Sequence, residues 1–371
     1  MKTSLPFTVN IAPAPERSDE IKVIVEGDDL YDDMQAAIAA ARSSILLEIY
    51  LLAWDEVGRP LLEALAARAR DGLDVRVHVD AFGSLLVFPR TAERKLKQAG
   101  VKVRRFHHWQ WRDPWRYNRR NHRKLLVVDG SVAYLGGFNI HRECSRRQYG
   151  EGRWRDTHVR VFGDLAAQAQ RLFESFWYGD RGYHAPLRVP VRHILWSNHG
   201  AYGRRRMGYL MDGLIDSAME RLWLTNPYFV PSLRVQKRLT AAAVRGVDVR
   251  ILVPRKNDVR LVRWASHAAY ARLLAGGVRI FEYLPRVLHA KTALADGKWS
   301  MIGTSNLDYR SVFLNYEVNL FSSDPSLGQA LRDQFLADLA ESEEISLDVW
   351  SRRHFLHYPA ESLGWLARRW L

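Results

Sequence analysis

The chain has 371 residues, 47% hydrophobic and 26% charged, which is the composition of a soluble globular protein long enough for two domains with cores of their own. Its 55 Lys and Arg against 41 Asp and Glu give a net charge of +14, so a polyanionic partner is expected, either nucleic acid or an anionic membrane surface. The single cysteine, Cys144, excludes an intramolecular disulfide framework, reads as an ordinary small residue and suits a cytosolic setting; residues 1–18 lack the apolar core of a signal peptide, and no stretch approaches the ~20 apolar residues of a membrane-spanning helix.

Residues 1–20 read as an irregular lead-in. The β-branched run 21–25 predicts a strand, 29–42 a helix carrying Ala, Ile and Met, and 45–54 a buried strand. A second, amphipathic helix follows over 59–69, and Gly72 and Asp74 introduce a strand over 75–79. A helix over 92–98 ends at Gly100 and leads into a strand over 101–106. Residues 104–123 then carry Arg104, Arg105, Arg112, Arg116, Arg119, Arg120 and Arg123, interleaved with Trp109, Trp111, Trp115 and Tyr117. This stretch is either a solvated basic loop with its aromatics tucked into a core or an interfacial segment, with Trp at the headgroup level and Arg drawing anionic lipid. The three Trp among so many Arg favour the second reading, although single-stranded nucleic acid could stack on the same residues. His107 and His108 read as loop polars.

The order repeats in the second half. A helix over 207–221 precedes a strand over 222–230 that matches 45–54, a helix over 235–244 leads to a strand over 249–253, and a helix over 261–274 leads to a strand over 278–283. The run from Arg70 to Arg76 is approximated from Arg245 to Arg250, with glycines offset by 246 − 72 = 174. The fold class expected is therefore α/β: two similar layered α-β-α domains with mixed sheets, related by internal duplication and packed about a pseudo-two-fold axis. Pro and Gly cluster at 186–202, which divides the chain into 1–190, with the Arg/Trp-rich loop, and 191–371, with a C-terminal tail. In that tail Leu363, Leu366 and Trp370 lie at helical spacing beside Arg368 and Arg369, as in either a helix capping the second domain or an amphipathic membrane foot.

Two strings carry the chemistry. His122-x-Lys124-x4-Asp129-Gly130 leads to Gly136-x-x-Asn139, and His289-x-Lys291-x4-Asp296-Gly297 leads to Gly303-x-x-Asn306. The histidines are 289 − 122 = 167 residues apart and the asparagines 306 − 139 = 167, a register held over eighteen positions. After each Lys an apolar run ending in Asp-Gly predicts a buried strand closed by a turn. Residues two apart on a strand share a face, so each His points the same way as its Lys. An imidazole beside an ammonium suits a phosphate: the first can attack phosphorus or move a proton, the second holds anionic oxygens. A two-fold arrangement would bring both pairs to one phosphorus, with Lys124, Lys291, Asn139 and Asn306 binding non-bridging oxygens. Asp129 and Asp296, counted by the motif among its catalytic residues, read as turn and salt-bridge residues that brace the site. Tyr50 and Tyr228 close corresponding strands and either line the pocket or pack in the core. No metal is expected, for there is no His-Glu-x-x-His pair, no Cys cluster and no carboxylate set with ligand spacing.

The paired His-x-Lys-x4-Asp strings resemble the phospholipase D superfamily, and the details resemble most the bacterial cardiolipin synthases. Supporting runs are Trp154 to His158, Asn306 to Ser311, Asn315 to Glu317, Asn226 to Pro231 and Arg245 to Arg250, and the likeness spans roughly residues 20–340. The resemblance implies a phosphohistidine mechanism without cofactor, His122 attacking and His289 serving as acid and then base. It also implies an acidic residue some thirty positions after each His to orient the imidazole. Asp156, 156 − 122 = 34 residues after His122, and Glu317, 317 − 289 = 28 after His289, are the candidates. Ser305 stands where the superfamily commonly has a small or hydroxyl residue, whereas the first half has Phe138.

The activity expected is cardiolipin synthesis: phosphatidyl transfer between two phosphatidylglycerol molecules with release of glycerol, on anionic phospholipid, at the cytoplasmic face of a bacterial membrane with peripheral attachment. The alternatives are a phospholipase D that hydrolyses headgroups and a superfamily nuclease acting on DNA. Nucleic acid is the less favoured partner, because superfamily nucleases often carry one motif per chain and would not need the aromatic segments. A non-catalytic lipid-binding module fits poorly with motif residues intact in both halves.

Overall fold

A computed structural model describes residues 21–107, 111, 117–179, 192–353 and 357–368. The lead-in, His108, Trp109, Arg112, Trp115, Arg116, Arg369 and Trp370 lie outside the described residues.

The first sheet holds β1 (Lys22–Ile24), β2 (Ser44–Ile49), β3 (Asp74–Asp80), β4 (Lys102–Phe106), β5 (Leu125–Val128), β6 (Val132–Gly136) and β7 (His158–Phe162), in the order β1-β7-β6-β5-β2-β3-β4. The second holds β8 (His193–Ser197), β9 (Arg221–Thr225), β10 (Asp248–Pro254), β11 (Arg279–Tyr283), β12 (Thr292–Ala295), β13 (Trp299–Gly303), β14 (Val318–Ser322) and β15 (Ser342–Ile345). Its order, β8-β14-β13-β12-β9-β10-β11-β15, repeats the first strand for strand and adds β15 at one edge. In each sheet three strands run parallel (β2, β3, β4 and β9, β10, β11) and the others pair antiparallel. These are the two mixed-sheet domains of a duplicated α/β fold.

Alternation along the strands sorts side chains into layers. On β2, Leu46 faces one way and joins a buried cluster with Val127 and Leu135 of its own sheet and Trp223, Leu252 and Ile302 of the other. Helices Gly163–Tyr178 and Pro325–Ala340 fill the space between, contributing Leu172, Phe173, Leu331 and Phe335, and Phe335 stacks on Trp223 with ring centroids 5.0 Å apart. Ile45 and Leu47 face the opposite way, under helices Gly27–Ala40 and Gly58–Arg70, and the second domain is covered likewise by helices Gly200–Ser217, Leu233–Val244 and Arg260–Ala275. Each large apolar side chain buried in the shared seam contributes about 2 kcal/mol, so the seam holds the two domains as one body.

Several elements differ from the periodicity. The apolar runs 45–54 and 222–230 are strands only as far as Ile49 and Thr225. Beyond Ile49, side chains of other loops take the backbone bonds: Asn139 Oδ1 accepts from Leu51 N–H at 3.2 Å and Ser84 Oγ from Leu52 N–H at 3.1 Å. Tyr50 and Tyr228 are thereby carried to the carboxyl ends of the strands, where open α/β sheets bind ligands. The helix expected over 207–221 runs instead from Gly200 to Ser217. In the basic stretch, Arg104 stacks on Trp177 at 4.2 Å, Arg105 pairs with Glu93 at 2.6 Å, and Arg123 is buried against Glu48 at 3.2 Å, so these three are structural. Trp111, in contrast, is 87% exposed. The C-terminal helix His357–Ala367 packs on helix Arg260–Ala275; Gly364 lies so close that a Cβ there would stand 2.5 Å from Ala265 N, while Leu363 and Leu366 stay exposed.

Candidate active site

The site forms where two backbone crossings bring the domains together. Ahead of His122, Asn121 bridges Tyr316 in parallel, and His122 N–H donates to Tyr316 O at 3.0 Å. Ahead of His289, Leu288 bridges Arg155 in the same way, and His289 N–H donates to Arg155 O at 2.7 Å. Each bridge puts a motif His beside the acidic residue that follows the bridged one, Glu317 after Tyr316 and Asp156 after Arg155.

The pairing is therefore exchanged between domains. His122 Nδ1 lies 3.0 Å from Glu317 Oε2, and His289 Nδ1 lies 2.6 Å from Asp156 Oδ2. Counting along the chain puts Asp156 with His122 and Glu317 with His289; the structure corrects this, because the cross-domain bridges set the distances and sequence separation does not. Burial pushes both carboxyls up, but His122 and Lys124 outweigh it at Glu317, and Lys291 and His289 at Asp156, so both stay ionised below their usual range. A carboxylate only accepts, so each Nδ1 carries the proton and each Nε2 holds a lone pair. Burial lowers the pKa of both imidazoles, that of His289 to about 4, which keeps them neutral in the free protein.

The carboxylates are themselves positioned. Glu317 accepts from Thr304 Oγ1 at 2.5 Å and Ser311 Oγ at 2.8 Å, and its own N–H donates to Asn198 Oδ1 at 2.7 Å. Asp156 Oδ1 accepts from Thr157 N–H at 2.7 Å and packs on Gly137, where a Cβ would fall 1.9 Å from it. The position 167 residues after Gly137 is Thr304, so one half supplies clearance for a carboxylate and the other a hydroxyl donor. Thr304 and Ser311 were not legible as functional residues; their only signal is that they stand inside the motif runs.

Lys124 Nζ donates to His122 O at 2.9 Å, and Lys291 Nζ donates to His289 O and lies 3.0 Å from His289 Nδ1. Both ammoniums are buried. Burial, reinforced by Lys291, pushes Lys124 down to about 7, and burial pushes Lys291 down to about 8. Two lysines buried directly behind two neutral imidazoles make this a place suited to an anion.

Asn139 and Asn306 line the same cavity of about 670 Å³ as His122 and His289, as do Tyr50, Tyr228 and Trp154. Tyr50 stands edge-on to His122 at 5.0 Å and Trp154 lies 5.2 Å from His289. The Asn306 carboxamide oxygen is buried without a hydrogen-bond partner among the described residues. Asp308, absent from the sequence candidates, also faces the cavity, and burial pushes its pKa up to about 7. Ser305 is turned away, its hydroxyl accepting from Asn319 Nδ2 at 2.7 Å.

Asp129 and Asp296 lie apart from these groups. Each follows the motif strand, roughly 16 Å of extended chain from its Lys, in an Asp-Gly turn with φ of 52° and 56° at the Asp. Asp129 accepts from the N–H groups of Arg42, Ser43 and Ser44, and Asp296 from those of Met219, Glu220 and Arg221. They clasp the starts of β2 and β9, so the grouping of these aspartates with the catalytic side chains gives way to the bracing role. An Asp-Gly pair supplies both positive φ values of the tight hairpin between β5 and β6 and between β12 and β13.

The family model described as "Cardiolipin synthase, PLD-like domain" matches residues 34–177 and 211–339, one match over each half. The chain belongs to this phospholipase D-like family. Membership makes it an enzyme of the phospholipase D type. It is 34% identical to the probable cardiolipin synthase YwiE of Bacillus subtilis over 361 residues, 92% of this chain and 70% of that one. It is 33% identical to cardiolipin synthase A of Pseudomonas putida over 345 residues, 91% of this chain and 72% of the relative. In fold it resembles phosphatidylserine synthase from Haemophilus influenzae, with a TM-score of 0.72 at 13% identity over 95% of both chains. It also resembles polyphosphate kinase from Porphyromonas gingivalis, with a TM-score of 0.63 at 17% identity over 89% of this chain and 49% of that one.

Proposed function

We propose that the protein is a cardiolipin synthase that moves a phosphatidyl group from one phosphatidylglycerol to another through a phosphohistidine. The observation that carries this reading is the composite site: two imidazoles that line one cavity with Nε2 free of the orienting carboxylates, each backed by a buried lysine bonded to its own backbone carbonyl. The anionic substrate raises the pKa of His289, which takes up a proton at Nε2 on binding. His122 Nε2 then attacks phosphorus, the bond to the glycerol oxygen breaks, and His289 gives that oxygen its Nε2 proton. His289 then takes the proton of the second lipid's hydroxyl, the alkoxide attacks phosphorus, and the P–N bond to His122 breaks. Lys124, Lys291, Asn139 and Asn306 hold the non-bridging oxygens throughout. His122 is assigned as nucleophile by likeness to the superfamily.

A lipid substrate is supported by the loop between β3 and the helix Arg90–Gln98. Phe82 lines the cavity, and Leu85 and Leu86 beside it are 57% and 93% exposed. Trp111 is exposed as well, and among the described residues no helix is long and apolar enough to cross a membrane. Such residues seat in the interfacial layer of a bilayer, and the net charge of +14 favours an anionic leaflet. Peripheral attachment at the cytoplasmic face of a bacterial membrane follows from this reading.

Acid-free quenching during turnover of phosphatidylglycerol vesicles, followed by peptide mass spectrometry, tests the covalent step. A phosphatidyl or phosphate adduct on the His122 peptide, absent in His122→Ala, is expected. An adduct on the His289 peptide alone would reverse the two roles, and steady turnover by the double variant His122→Ala, His289→Ala would end the mechanism.

A further inference from the structure

The catalytic groups obey the pseudo-two-fold axis, but their flanks do not. Arg120, His122 and Lys124 alternate along an extended, buried run and share one face, while Asn121 and Arg123 turn to Glu48 on the other. The residue 167 positions after Arg120 is Val287, so only the first motif has a cation two residues ahead of its His; Arg286, one place earlier in the second, turns to Glu26. Arg310 meets Arg120 at the same corner. Its Nη1 donates to Asn118 Oδ1 at 2.9 Å and its Nη2 to Asn118 O at 2.8 Å, and both guanidiniums line the cavity with His122. The residue 167 positions before Arg310 is Glu143, which is bound to His141 at 2.6 Å. One end of a symmetric site is thus doubly cationic, and its counterpart holds a valine and a glutamate.

Among the described residues the Arg120 guanidinium is only partly paired, its Nη2 donating to His107 O at 3.1 Å. The nearest carboxylate, Asp80, lies 3.5 Å from Arg120 Nη1 and already accepts from the N–H groups of Phe82, Gly83 and Asn121. Arg120 Nε is buried with no hydrogen-bond partner among the described residues. Of the other cavity carboxylates, Asp258 accepts from Tyr228, and Asp308, which Arg310 attracts, accepts from Ser311 N–H. A buried guanidinium donor without a partner, next to a second guanidinium, is a place for a second anion.

We propose that Arg120 and Arg310 form a second phosphodiester subsite, which takes the phosphate of the acceptor lipid and selects an anionic lipid alcohol over water or a neutral alcohol. The inference rests on the phosphatidyl-transfer reading above and adds to it the basis of acceptor choice. Arg120 stands two residues, about 7 Å of extended chain, from His122, comparable with the span of the glycerol bridge that joins the two phosphates of the product. A planar fork holds such a diester bidentately, where a lysine would give a point charge.

The test is binding of two water-soluble headgroups, glycerophosphoglycerol with one phosphodiester and bis(glycerophospho)glycerol with two, to the full chain and to Arg310→Gln and Arg120→Lys. Thermal melting shows which variants fold, and Arg120→Lys, which keeps the charge, decides the matter should Arg310→Gln not fold. The wild type should bind the two-phosphate headgroup about tenfold or more tightly than the other, as an added charge-assisted contact implies. Arg310→Gln should abolish that preference, Arg120→Lys should reduce it, and vesicle assays of Arg310→Gln should show the ratio of cardiolipin to phosphatidic acid fall. Equal affinity of the wild type for the two headgroups would overturn the subsite even if cardiolipin is made. A preference lost in Arg310→Gln, in a protein that makes no cardiolipin, would keep the subsite and remove the synthase reading instead.

Discussion

Glu317 Oε2 lies 3.0 Å from His122 Nδ1, a contact between residues 195 apart that joins the second domain's carboxylate to the first domain's imidazole. With the reciprocal contact of Asp156 and His289, it makes the active site a property of the packed pair: neither half carries an oriented histidine alone. Tautomer, burial and the direction of each Nε2 all follow from this exchange.

The exchange is directly observable. In ¹⁵N-histidine spectra both imidazoles should show protonated Nδ1 and bare Nε2. Glu317→Gln should perturb the His122 resonances and leave those of His289 nearly unchanged, and Asp156→Asn should do the reverse. Each substitution should lower kcat by about 10²-fold or more, as loss of an orienting carboxylate does elsewhere. Perturbation of the histidine in the same half would contradict the crossed pairing.

Anion binding should take up protons. With Lys124 near 7 and Lys291 near 8 in the free protein, both are partly deprotonated at pH 7.5, and an anion held between them raises both values. Calorimetric titration with inorganic phosphate in buffers of different ionisation enthalpy should show net uptake at pH 7.5. Affinity should weaken as pH rises from 7 to 9, and Lys124→Met should remove most of the uptake. A buffer-independent heat would argue against this.

The same burial costs stability. The folded-state value of Lys124 lies below the ordinary lysine value of about 10.4, so the unfolded chain holds more protons between pH 7 and 10 and stability rises with pH through that window. Lys124→Met should therefore abolish activity while raising Tm at pH 7, by about 2 °C for each kcal/mol recovered. A lower Tm in a folded, inactive variant would show that the ammonium is compensated in the free protein.

Asp129 and Asp296 should behave as clasps. Burial pushes the Asp129 carboxyl up, but the N–H groups of Ser44, Arg42 and Ser43 outweigh it and hold it below its usual value. Its contribution is present above the ordinary carboxyl pKa and is lost as pH falls through the folded value. Asp129→Ala should cost about 1–3 kcal/mol of stability and flatten the acid side of the stability profile, with kcat of the folded fraction changed far less than in Glu317→Gln. An equal loss of kcat at unchanged Tm would place Asp129 in the chemistry after all.

The duplication, the α/β class and the cluster of His122, Lys124, Asn139 and their counterparts were legible because the motif strings repeat in register and a strand puts alternate residues on one face. Which carboxylate serves which histidine was not, since the bridges Asn121 to Tyr316 and Arg155 to Leu288 join residues far apart in the chain. Helices Gly163–Tyr178 and Pro325–Ala340 were not anticipated, although Leu165, Ala169, Leu172 and Phe173 in the first and Leu327, Leu331 and Phe335 in the second recur at helical spacing and pack in the shared seam. Arg120 stands two residues before His122 in a run whose composition marks every Arg alike, yet Arg104, Arg105 and Arg123 are structural and Arg120 lines the cavity.

Product analysis of purified protein on phosphatidylglycerol vesicles, by lipid mass spectrometry in ¹⁸O-water, tests the central claim most directly. Cardiolipin and free glycerol in equal amounts, without ¹⁸O in the phosphate, are the expected result. Phosphatidic acid carrying ¹⁸O as the main product would mean that water is the acceptor and that the enzyme hydrolyses phospholipid, and the transferase account would be wrong.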